Sequence, residues 1–189
     1  MTRVLIDTSI LCSALWSDDN GSLSSAVLQD ALLGPDLAFQ PVLAESVLFE
    51  FMLKCREGFG GKRFSQEDLE TFFSRFERLW RRPNRVAIQT ARVYWRNKGN
   101  QPVGHLLLHV LQGRRPEEIR RMQEALDEYG IRWEMPMDPG DFHVLLSALL
   151  YRCSVIVTYK EDFPTGGKLK IWHPRTLREY VREGHLIEP

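Results

Sequence analysis

Acidic side chains stand at four separated points whose surroundings could gather them. Asp7 follows Val4-Leu5-Ile6, and Glu50 sits inside the apolar run Val47-Leu48-Phe49-Glu50-Phe51-Met52-Leu53. Asp138 and Asp141 flank Pro139-Gly140, and Asp162 comes after Val155-Ile156-Val157-Thr158. Two carboxylates roughly 4 Å apart repel by about 4 kcal/mol at an effective dielectric near 20. A fold that converges several of them therefore requires a cation or protonates some. Mg²⁺ or Mn²⁺, hard ions that prefer oxygen ligands, are the expected occupants. The chemistry such a centre serves best is hydrolysis at phosphorus.

Each residue also has a plainer role open to it. Asp7 is either a ligand or a helix cap, with Thr8 and Ser9 as further caps for a helix beginning near Ile10. Glu50 is either buried against a cation or strong hydrogen bonds, or an exposed position with apolar neighbours on both sides. Asp138 and Asp141 can serve as N-caps, and Asp162 as a turn residue. Thr158 can hold a water or orient a carboxylate. His105 and His109 share a helix face in an apolar stretch, but no third ligand accompanies them, and packing is the expected role. His143 reads as a helix-surface residue able to approach a substrate.

The elements that must position these groups follow from the apolar pattern. Short strands are expected at 4–6, 37–39, 154–158 and 169–172. Helices are expected at 22–33, 42–55, 65–80, 90–97, 103–111, 116–129, 139–152 and 174–184, while 131–135 fits either a strand or a linker. Strands alternating with helices predict an α/β fold around a parallel sheet, with the acids beyond the carboxyl ends of its strands. The whole chain, 1–189, reads as one domain with a helix-rich extension over about 59–137.

Composition narrows the function classes. Lys plus Arg equals Asp plus Glu, 25 each, in 189 residues, so bulk charge does not drive the chain onto nucleic acid. The charge is nevertheless segregated. Through Glu50 the only basic residue is Arg3, whereas 75–98 carries eight basic residues, Arg81, Arg82 and Arg85 among them, against Glu77 alone. With Trp80 and Trp95, that segment would suit a phosphate backbone. Three cysteines, Cys12, Cys55 and Cys153, in apolar surroundings predict buried thiols in a reducing compartment. No apolar stretch approaches the roughly 20 residues of a membrane span. The opening residues read as a strand rather than as a signal peptide, and a cytoplasmic location is expected.

Taken in order, Val4-Leu5-Ile6-Asp7-Thr8-Ser9, Glu50, the run from Asp138-Pro139-Gly140-Asp141 through Phe142-His143-Val144-Leu145-Leu146-Ser147-Ala148, and Val155-Ile156-Val157-Thr158 with Asp162-Phe163-Pro164 resemble the PIN-domain nuclease family. That family includes toxin ribonucleases of toxin–antitoxin pairs. The similarity covers roughly the first sixty and last fifty residues.

The resemblance implies an α/β/α sandwich with a central parallel sheet and an endoribonuclease that uses Mg²⁺ or Mn²⁺. Asp7, Glu50 and Asp141 would be core ligands, Asp162 would complete the site, and Asp138, Thr8, Ser9 and Thr158 would support it. Lys160 or an arginine of the basic segment would grip the RNA. An antitoxin protein and a homodimer are implied partners, and no membrane. One departure stands out: many members carry an acid two residues after the threonine, where this chain has Lys160. The alternative is a catalytically silent PIN module that binds RNA or protein.

Overall fold

The computed structural model describes residues 2–17, 22–30, 39–77 and 99–183. Four parallel strands form its centre in the order β2-β1-β5-β6: β1 (Thr2–Ile6), β2 (Phe39–Val42), β5 (Val155–Val157) and β6 (Lys170–Trp172). Val4, Leu5, Ile6, Val155, Ile156 and Val157 are wholly buried. Apolar side chains on both faces of a strand are what a parallel sheet covered by helices requires.

Helices flank that sheet. In chain order, α1 (Thr8–Ser17), α2 (Leu23–Asp30) and α3 (Glu45–Glu57) belong to the first half, and α7 (Phe142–Leu150) and α8 (Pro174–Arg182) to the second. Helix α1 packs on α2 and α3, α3 on α7, and α2 on α8. Among the described residues, no helix is long and apolar enough to cross a membrane.

Of the strand expected at 37–39, residues 37 and 38 lie outside the described residues, and Phe39 opens β2. Strand β2 pairs Phe39 to Val42 with Thr2 to Leu5, and α3 starts at Glu45 rather than near Val42. Pro41 lies within β2, which is at the edge of the sheet among the described residues, where a proline without an N–H is tolerated.

Among the described residues, the extension holds α4 (Gln66–Arg75), α5 (Val103–Val110) and α6 (Pro116–Glu128), with a two-residue pair, β3 (Gln101–Pro102) and β4 (Pro136–Met137). The segment 131–135 is thus a connection, not a strand. Phe72, Phe76, Leu106, Leu107, Met122 and Leu126 join the same core cluster as the sheet. Residues Arg81, Arg82, Arg85, Trp80 and Trp95, the 90–97 helix and the end of the 65–80 helix lie outside the described residues.

Two local features anchor the chain near the later strands. Backbone N–H groups of Val103 and Gly104 donate to Met135 and Trp133 carbonyls (both 2.9 Å), so α5 starts directly beneath the indole. A Cβ on Gly104 would fall 2.0 Å from the Trp133 ring. Gly104→Ala is expected to cost about 1–3 kcal/mol by overpacking, read from urea unfolding.

At the end of α7, Arg152 takes φ 51°, Cys153 N donates to Ala148 O (2.8 Å), and Arg152 N donates to Leu149 O (3.2 Å). This left-handed helix ending normally employs glycine. Arg152→Gly should stabilise the protein by about 1 kcal/mol, visible as a higher melting temperature.

The cysteines are free thiols, Cys55 and Cys153 buried and Cys12 half-buried. Burial pushes all three up to about 12, so they are not nucleophiles at neutral pH.

Candidate functional site

Asp7 ends β1 and sits beside the end of β5, because its backbone N–H donates to Val157 O (3.1 Å). Its side chain is buried. The Asp7 Oδ2 accepts from Ser9 Oγ (2.6 Å), Thr158 Oγ1 (2.7 Å) and Ser9 N (3.3 Å). The two hydroxyls are themselves held by backbone amides, Tyr159 N to Ser9 Oγ (3.2 Å) and Lys160 N to Thr158 Oγ1 (3.0 Å). The cap of α1 is therefore Asp7, not Thr8 or Ser9. Asp7 Oδ1 accepts no hydrogen bond from the described residues.

Glu50 projects from α3 and is also buried. Its Oε2 accepts from Thr8 Oγ1 and lies 3.1 Å from His143 Nε2 on α7, and its Oε1 meets Lys54 Nζ at 2.8 Å. One helical turn away, Ser46 Oγ and Ser147 Oγ are 3.3 Å apart, and Ser147 also donates to His143 O (2.6 Å). His143 is thus an interior residue, 1% exposed, not a helix-surface one. The apolar residues on both sides of it, Phe142 and Val144, are buried with it. Burial alone would raise the Glu50 pKa, but the His143 hydrogen bond and charge and the Lys54 ammonium outweigh it and bring it from 4.5 to about 2.

Asp141 stands at the start of α7, buried, and makes no capping bond of its own. Its Oδ1 is ion-paired with Lys160 Nζ. Burial raises its pKa, Lys160 counteracts, and the negative charges of Asp7 and Glu50 raise it further. Thr8, next to Asp7, bonds Glu50, and Lys160, next but one to the Thr158 that bonds Asp7, pairs with Asp141, so these links bring the three carboxylates to one region. The Lys160 pKa is raised despite burial, chiefly by Asp141.

A cleft of ≈ 370 Å³ opens onto Glu50 and Asp141, lined with them by Leu53, Lys54, Glu57, Asp138, Gly140 and Lys160; Asp7 lies outside its lining. Asp138 is exposed at its rim, where its Oδ1 accepts from Gly140 N (2.7 Å). Asp162 is exposed and does not line the cleft. His105 and His109 lie on the exposed side of α5 rather than in its packing face.

No family model matches the chain, and no curated protein matches it.

The donor chemistry nevertheless suits a hard divalent ion: three buried carboxylates from β1, α3 and the start of α7, with Asp7 Oδ1 and Asp141 Oδ2 unpaired among the described residues. Among the described residues, no group of three or more His, Cys, Asp or Glu side chains is spaced to hold a metal as they stand. Glu50 and Asp141 are instead ion-paired with Lys54 and Lys160. Lys54 and the His143–Glu50 contact escaped the sequence reading. The Glu50–Lys54 spacing of four on a helix was the signal for the first. Nothing in the local sequence marked the second, which depends on how α3 and α7 meet.

Proposed function

We propose that the cleft is the centre of a metal-dependent endoribonuclease of PIN type, built on an α/β/α sandwich. The observation that carries this reading is the burial of Asp7, Glu50 and Asp141 together at the carboxyl edge of a parallel sheet, where such folds bind ligands. Mg²⁺ or Mn²⁺, when bound, supplies Lewis acidity and lowers the pKa of a water that attacks phosphorus.

The chain's own groups do the rest. Ser9 and Thr158 fix the orientation of Asp7, while Thr8 and His143 fix that of Glu50. Asp141 faces the cleft, and Asp138 supports its rim. Single-stranded or structured RNA is the proposed substrate, a small antitoxin a proposed regulator, and a homodimer a proposed assembly.

A second reading, a catalytically silent module that binds RNA or protein, draws on a specific observation: Glu50 and Asp141 already have ammonium partners, and Asp162 stands apart. Incubating a mixed RNA pool with purified protein in Mn²⁺, Mg²⁺ or EDTA separates the two. Cutting that requires the metal supports the nuclease. Calorimetric Mn²⁺ binding without cutting supports the silent module. Neither cutting nor Mn²⁺ binding removes the metal-centre reading.

A further inference from the structure

Lys160 holds a position that a surface lysine ordinarily would not. It follows β5, its side chain is only 37% exposed, and its ammonium group is the sole partner of the buried Asp141 carboxylate among the described residues. Glu50 differs, because Thr8 and His143 would still hold it without Lys54. Asp141 has no such reserve. A buried carboxylate without a cation is strongly disfavoured, so Lys160 does for Asp141 what a metal ion would do.

Geometry gives this substitution a direction. The Lys160 ammonium already sits on Asp141 Oδ1, and a divalent ion brought to the same carboxylate would repel it, so an ion that binds Asp141 must move the lysine aside. The departing ammonium, on its flexible four-carbon stem, is then free to meet an anion entering the cleft.

We propose that Lys160 is a resident cation of the cleft which one divalent ion must displace from Asp141, so that this lysine sets the metal affinity of the site and is handed to the substrate phosphate on loading. The inference rests on the metal-centre reading above. Its test is calorimetry with Mn²⁺ on the full chain, the Lys160→Met variant and the charge-retaining Lys160→Arg variant.

The expected result is one Mn²⁺ per chain, bound about tenfold more tightly by Lys160→Met and about as wild type by Lys160→Arg, the size expected when one partly exposed competing ion pair is removed. Thermal melting supplies a second readout that does not depend on activity. Without metal, Lys160→Met should melt below wild type, because Asp141 loses its partner, and Mn²⁺ should raise its melting temperature by more than it raises that of wild type. Binding by Lys160→Met but not by wild type would support the same exclusion in stronger form. Equal affinities in wild type and Lys160→Met would overturn the inference and leave the metal centre standing. Absence of binding in every variant would overturn both.

Discussion

Asp7→Asn is expected to lower metal-dependent RNA cleavage by roughly 10²–10³-fold, the scale of losing one electrostatic element of a catalytic centre, while the protein stays folded. The geometry separates the two effects. An asparagine side-chain oxygen can still accept from Ser9 Oγ and Thr158 Oγ1, so the pins between β1, α1 and β5 persist. What disappears is a negative charge next to Asp141, whose carboxyl that charge helps to push upward. Relief of this repulsion should leave the melting temperature unchanged or slightly raised. Single-turnover cleavage and a thermal melt on the same preparation check both halves. Undiminished cleavage by the folded variant would end the assignment of Asp7 to the reaction.

Glu50→Gln should behave in the opposite way, with a large loss of stability at neutral pH. The folded-state pKa of Glu50 lies at about 2 against an ordinary 4.5. A depressed carboxyl contributes stability that is fully present above the unfolded value and is lost as pH falls through the folded one. For this drop the contribution is about 3 kcal/mol. Urea titrations should therefore show wild type more stable than Glu50→Gln by about that amount at pH 6–7. The gap should narrow from pH 4.5 toward pH 2. A difference that stays constant over this window would mean that His143 and Lys54 do not hold Glu50 ionised.

Much of the frame could be read from the chain because its signals are local. The apolar triplets Val4-Leu5-Ile6 and Val155-Ile156-Val157 announce strands covered on both faces, and Pro116 and Pro174 mark helix starts. The start of the helix expected at 42–55 was less legible, because a proline such as Pro41 fits an edge strand and a helix start equally until the strand order is known. Within the candidate site, the placement of Asp7 at a strand end was legible. The inward face of Glu50 was left open by the sequence, since charge amid apolar residues fits both a buried and an exposed position. The pairing of Lys160 with Asp141 was not legible, because it joins residues nineteen positions apart across a helix and a strand. His143 was misplaced for the same reason: its partner comes from another helix, 93 positions earlier.

The contacts between α3 and α7 reach beyond catalysis. Ser46 faces Ser147, and a turn further along α3 Glu50 faces His143, a turn earlier along α7. These two polar rungs work as a key for helix register. A slip of one turn, about 5.4 Å, that set Glu50 against Ser147 would bring the Lys54 ammonium toward His143 with no carboxylate between them. The interior apolar side chains around these rungs discriminate less sharply, since one buried leucine or valine can replace another in a shifted packing. The same carboxylate that would serve the reaction therefore also selects the native alignment of the two helices. Chains that lose it should show not just weaker folding but more than one packing of α3 on α7, visible as doubled or broadened amide resonances along both helices.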